Sequence, residues 1–236
     1  MRVYETKNLL GQSVIAQVQY GSTNSKTGDG IQIWILPSKW YIEGKSAMDS
    51  DEASCLDCPH SKRGTKRCYV RKGNSERGLK SKVDSLHKKF LKGQLEILPM
   101  SDLAYHEITK IRGKFVRFGA FGEPVLLGLD NIKAITEASS TWTGYTHQWR
   151  NPSYMEYQKY FMASVETMAL EDKAHELGWR AFNVTDKDTD AVKGKEINCP
   201  ASAEFFKANG KKVTCNTCGL CRGTSIKAKS IQIKLH

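Results

Sequence analysis

The placement of seven cysteines constrains this chain more than any other feature of its 236 residues. They fall in two groups, Cys55-x2-Cys58-x9-Cys68 and Cys199-x15-Cys215-x2-Cys218-x2-Cys221. An odd number cannot pair completely, and CxxC steps are chelating patterns, so the spacing predicts two metal sites rather than a disulfide framework. The second group offers four thiolates, enough to close a tetrahedral zinc site or to hold a [4Fe–4S] cube. Its Cys215-Asn216-Thr217-Cys218-Gly219-Leu220-Cys221 run is closer to an iron–sulfur motif than to a zinc ribbon, which pairs two separated CxxC knuckles; a structural zinc is the alternative. The first group offers three thiolates. On a [4Fe–4S] cube they leave one iron open to a small molecule, whereas His60 would complete a Cys3His zinc site.

Thiols kept for metal imply a reducing compartment. The first twenty residues lack the basic start and apolar run of a secretory leader. No stretch approaches the roughly 18 consecutive apolar residues of a membrane span. We therefore expect a soluble, cytoplasmic protein without a membrane partner.

The formal charge of +11 is concentrated. Between Pro59 and Lys92 stand twelve Lys and Arg against Glu76 and Asp84. This predicts a polyanion-binding ridge, with Lys62, Arg63, Lys66, Arg67, Arg71 and Lys72 as nucleic-acid contacts and Arg77 and Lys80 continuing it; a solvated helix face is the alternative.

With 39% hydrophobic residues the chain can build a core. Residues 1–30 read as an N-terminal extension, 31–190 as one β/α domain and 191–236 as a metal-bound cap. Within the domain, strand-like runs at 31–36, 114–118, 141–146, 162–167 and 180–184 alternate with helical stretches at 75–91, 101–111, 131–138, 154–160 and 170–177. That alternation predicts parallel βαβ units closed into a partial or complete parallel β/α barrel, or spread as an open doubly wound sheet. Chemistry then collects at the C-terminal strand ends. There, Thr141 to His147 can stack on a base, Ser164, Glu166 and Thr167 can meet a ribose, and Asn183 and Asp186 close the fifth strand. Packing or plain strand capping is the competing explanation for each. His87, His106 and His175 lie on helices away from the strand tips and read as structural or exposed.

The order of motifs resembles radical S-adenosylmethionine enzymes. In those enzymes a three-cysteine loop follows the first strand, and the second strand ends in a Gly-Gly-Glu-Pro-like motif holding the cofactor's amino group. Here the cysteine loop follows 31–36 and the next strand leads to Gly122-Glu123-Pro124. A carboxylate and exposed carbonyls beside the cluster suit an ammonium group. The spacing departs from the usual Cys-x3-Cys-x2-Cys. The chain also resembles the gene-product-88 family of phage proteins, through Asn24-Ser25-Lys26-Thr27-Gly28, Cys68-Tyr69, Val116-Arg117-Phe118-Gly119, Gly144-Tyr145-Thr146, Cys199-Pro200 and Cys215-x2-Cys218-Gly219-x-Cys221.

Together these resemblances imply a phage iron–sulfur enzyme in the host cytoplasm. It would carry two [4Fe–4S] clusters, bind S-adenosylmethionine at Gly122, Glu123, Pro124, Ser164 and Glu166, and take electrons from a donor. A 5′-deoxyadenosyl radical would then abstract hydrogen from a nucleotide or nucleic-acid substrate. The competing expectation is a zinc-stabilised nucleic-acid-binding protein without catalytic activity.

Overall fold

The computed structural model describes residues 1–22, 24, 26–185 and 191–234. Two strands, β1 (Arg2–Lys7) and β2 (Ser13–Gln19), precede β3 (Ile31–Pro37). Short helices α1 (Ser38–Glu43) and α2 (Glu52–Cys55) lead through the first cysteine loop to the long helix α3 (Gly73–Leu91). Next come β4 (Glu96–Pro99), α4 (Leu103–Ile111), β5 (Phe115–Arg117), α5 (Leu129–Ala138), β6 (Thr141–Thr143), β7 (Tyr145–Thr146), β8 (Met162–Val165), α6 (Met168–Glu176) and β9 (Ala181–Thr185). The C-terminal part adds β10 (Glu196–Asn198), α7 (Ala203–Asn209), α8 (Cys215–Cys218) and β11 (Ser230–Lys234). Among the described residues no helix is long and apolar enough to cross a membrane.

The strands sort into two sheets, so the fold is mixed α/β. The six-stranded sheet runs β4-β1-β2-β3-β5-β6, with β2 antiparallel to both its neighbours and the β4/β1, β3/β5 and β5/β6 pairs parallel. The five-stranded sheet, β10-β11-β9-β8-β7, is parallel throughout. One segment serves both. Phe118 N donates to Thr143 O at 2.9 Å, while Met162 N donates to Gly144 O at 3.1 Å. The strand expected over 141–146 is therefore broken at Gly144 into β6 and β7. A side chain there would strike the Phe161 ring, since a Cβ would lie 2.4 Å from Phe161 Cδ1.

β3 is apolar almost throughout because both its faces are covered. Ile31, Ile33 and Ile35 join Val116, Phe118, Ile132 and Ile135 in one core, and Leu36 joins Trp40, Tyr41 and Phe121 in another. α3 buries Leu79, Val83 and Leu86 into the second core, the helical stripe that its sequence spacing predicts. The helix expected at 154–160 is a 3-10 helix, Pro152–Lys159. Its buried Tyr154 and Tyr157 lie three residues apart, which places them on one face at three residues per turn. Ser101 and Asp102 form a 3-10 turn leading into α4 rather than a side-chain cap.

The first and last described strands are bound into the sheets. The residues expected as an N-terminal extension supply β1 and β2, which pair with each other and with β4 and β3. The segment expected as a separate cap supplies β10 and β11, and β11 pairs with β9 from Ile231↔Phe182 to Lys234↔Thr185. These pairings satisfy strand edges that would otherwise stay open.

Candidate metal and cofactor centre

The first cysteine loop is pinned at its base by a buried ion pair. The Asp51 carboxylate accepts from Arg71 Nε at 3.1 Å and Nη2 at 2.9 Å, and from Lys62 N at 3.2 Å. Arg71 also lies over the rings of Trp40 and Phe121, at 5.5 and 5.4 Å. Arg71 was expected to face nucleic acid; it instead holds the loop closed, with only 10% of its side chain exposed. Inside the loop Cys58 N donates to Cys55 O and Cys68 N to His60 O. Burial, then Asp51, Cys58 and Cys68, push the Cys55 thiol well up, and burial raises Cys68. All seven cysteines are free thiols. Buried thiols crowded together hold their protons until a metal cation displaces them.

The Gly-Glu-Pro segment meets this loop directly. Gly122 sits at φ +80° against β3, where a Cβ would lie 2.3 Å from Ile35 O. Only glycine allows that approach. The turn brings Glu123 N to donate to Ser54 O at 2.7 Å, one residue before Cys55. The Glu123 carboxylate is buried and accepts from Thr146 Oγ1 at 2.7 Å and His147 N at 3.1 Å. Pro124 opens a buried 3-10 turn behind it.

His147 links this carboxylate to the next strand end. Its Nδ1 lies 3.2 Å from Glu123 Oε1, and its Nε2 lies 3.2 Å from Glu166 Oε1 and 4.0 Å from Cys58 Sγ. His60 approaches from the cysteine loop, with Nε2 3.3 Å from the same Glu166 oxygen and its ring edge-on to His147 at 5.6 Å. His60 therefore stands with His147 and Glu166 rather than with the three cysteines. Two sets of donor atoms close to within 4.8 Å among the described residues: Cys58–Glu123–His147 and His60–His147–Glu166. Burial alone would lower the His147 pKa, but Cys58, Glu123 and Glu166 around the ring outweigh it and hold it well above the ordinary value. Burial raises Glu166, yet His147 and His60 outweigh that and hold it down at about 2. Ser164 is buried on β8, two residues before Glu166, and its carbonyl accepts from Trp149 Nε1.

The four-cysteine group gathers at the far side of the kinked strand. Cys199, Cys215, Cys218 and Cys221 line one pocket with Trp142, Tyr145 and Leu220. The base-stacking expectation for Thr141 to His147 therefore meets a different arrangement. Tyr145 packs on Phe182 at 4.2 Å and, in its burial, faces Cys221, Cys215 and Cys199. α8 is held by a capping box of Thr214 and Thr217, and Cys215 N donates to Lys26 O. Arg180, at the start of β9, donates to the carbonyls of Leu220, Gly223, Ala228 and Lys229, and so clamps the loop carrying Cys221. Burial, despite Tyr145, pushes Cys221 up to about 12 and Cys199 to about 11. Asn183 donates to Glu171 and Glu196, a packing role, and Asp186 lies outside the described residues.

Of the expected basic contacts, Arg63 pairs with Glu52 at 3.0 Å, whereas Lys66, Arg67 and Lys72 are exposed and Lys62 is half-buried. Asp51 is the residue that sequence reasoning missed as a site member, and His147, expected among the base-stacking residues 141–147, instead bridges Glu123 and Glu166. His147 carried one signal, its position directly after a strand in a β/α alternation. Comparison with protein families, with curated proteins and with solved structures gives no match to this chain.

Proposed function

We propose that this is a phage-type iron–sulfur enzyme that binds S-adenosylmethionine between the first cysteine group and the strand ends, with a second cluster on the other four cysteines. The parallel run β3, β5, β6/β7, β8, β9, β11, β10 is compatible with a partial barrel whose two sheets are joined at Gly144. The observation that carries the reading is the bond from Glu123 N to Ser54 O, which ties the Gly-Glu-Pro backbone to the residue preceding Cys55.

The donor sets fit the groups. All seven cysteines are free, and four of them line one pocket, so thiolate donors are at hand for a cluster or an ion. A cluster held by three thiolates supplies one-electron reduction at its open iron. The chain's own part is to exclude water and to orient the cofactor. Glu123 offers a carboxylate for an ammonium group, and Glu166, kept ionised by His147 and His60, offers acceptors for ribose hydroxyls.

Protein purified without oxygen should be brown and hold about eight irons. S-adenosylmethionine should perturb the electron paramagnetic resonance signal of the reduced protein, and Glu123→Ala should weaken that effect without loss of iron. Stoichiometric zinc with negligible iron would reject the enzyme reading. A second reading has its own observation: the His60–His147–Glu166 set can hold one divalent ion in a colourless, zinc-stabilised nucleic-acid-binding protein.

A further inference from the structure

A cleft of about 300 Å³ opens beside the first cysteine loop. Tyr69 and Val70, directly after Cys68, form one wall; Trp34 and Gln32 of β3, Arg117 of β5 and Lys82 of α3 form others. Asn24 also lines the cleft, two residues before Lys26, whose carbonyl accepts from Cys215 N, so the cleft neighbours both cysteine groups. Its volume matches the lower end of small-molecule sites.

The lining has a consistent chemistry. It holds two cations, Lys82 and Arg117, and no carboxylate. Among the described residues neither cation makes an ion pair. Lys82 Nζ donates to the neutral Gln17 Oε1 at 2.7 Å and lies 4.8 Å from the Trp34 ring centroid. Arg117 lies 5.6 Å over the Tyr69 ring. Trp34 is held by its indole N–H, which donates to Gln19 Oε1 at 3.0 Å. Gln32 donates to Ser22, which also lines the cleft, and to Thr27.

We infer that this cleft binds a phosphorylated nucleoside of mononucleotide size, with Lys82 and Arg117 on the phosphate and Trp34 and Tyr69 against the base. A mostly buried lysine without a counter-ion weakens the fold unless an anion meets it. Burial lowers the Lys82 pKa to about 8, in keeping with an ammonium that lacks its partner. Aromatic rings accept the face of any base, and a guanidinium meets phosphate through paired N–H groups. Taken with the proposed enzyme, the inference names its substrate class, but the binding claim stands on the cleft alone.

The experiment is equilibrium binding to the full chain, purified without oxygen, with adenosine 5′-monophosphate, adenosine, inorganic phosphate and a short single-stranded oligonucleotide as separate probes. The monophosphate should bind more tightly than adenosine or phosphate. Arg117→Gln and Lys82→Met should each weaken monophosphate binding about tenfold while leaving adenosine nearly unchanged, and Trp34→Leu should weaken both. Metal analysis and circular dichroism of each variant exclude misfolding. Absence of iron would remove the enzyme reading and leave this inference standing, because no turnover is measured. Monophosphate binding that ignores all three substitutions would overturn it. So would an oligonucleotide that binds while the monophosphate does not.

Discussion

Lys82 shows how one side chain can report on its surroundings. Folding lowers its pKa from 10.5 to about 8, by burial, so the fold favours the neutral amine. The resulting stability penalty is fully present below about pH 8 and disappears above about pH 10.5. Lys82→Met should therefore raise stability at pH 7 by up to about 3 kcal/mol, and the gain should shrink as pH approaches 10.5. Urea unfolding of both proteins at the two pH values checks this; an equal difference at both would mean that the ammonium is solvated. Arg180 carries the opposite expectation. Its guanidinium fixes four carbonyls around the Cys221 loop, and each bond to a charged donor contributes about 1.5–3 kcal/mol. On the proposed two-cluster reading, Arg180→Met should leave about four irons, those of the first group, in place of about eight. Full retention of iron would show that the loop closes without the clamp. The grouping of Cys215, Cys218 and Cys221 around one pocket was legible in the sequence because their spacing is local. The bridge formed by His147 was not, since it joins residues brought together only by the order of strands.

At the scale of elements, the turn after β5 sets the geometry of the first site. Gly122 combines a positive φ with a backbone contact that no Cβ can share. Gly122→Ala should cost roughly 2–4 kcal/mol and move Glu123 away from Ser54. Calorimetry should show the lower transition temperature, and the response to S-adenosylmethionine should fall with it. A variant as stable as the parent would mean that the turn can rearrange. Most strands and helices from 31 to 185 were legible because each carries its own periodicity. β1, β2, β4, β10 and β11 were not, because their strand character depends on distant partners. β1 pairs with β4, where Arg2 meets Glu96, and β11 pairs with β9, where Ile231 meets Phe182. The strand over 141–146 was legible as a strand, but its break required knowing that Phe161 would occupy the space beside Gly144.

For the whole molecule, the excess charge divides into two populations. Arg71 and Arg63 serve the cysteine loop through Asp51 and Glu52, whereas Lys66, Arg67 and Lys72 remain at the surface. If the surface set meets phosphates, oligonucleotide binding should weaken steeply with salt. Replacing Lys66, Arg67 and Lys72 by Ala should then flatten the log–log slope by about two units, at roughly 0.7 per contact. Mononucleotide binding in the cleft should not change. An unaltered slope would return these residues to ordinary solvation. The concentration of charge was visible in the sequence, but its division was not, because ion pairing to Asp51 and Glu52 depends on how the loop closes.

The position of β11 has a consequence for synthesis. This strand lies inside the five-stranded sheet, between β9 and β10, although it follows both of them in the sequence. All four cysteines of the second group emerge before it, yet Cys199 N bonds to Gln232 O and the loop around Cys221 is clamped through Ala228 and Lys229. A nascent chain stopped short of Ser230 would carry all four cysteines without the frame that gathers them. The cysteines are thus made first and gathered only once β11 has been added to the sheet.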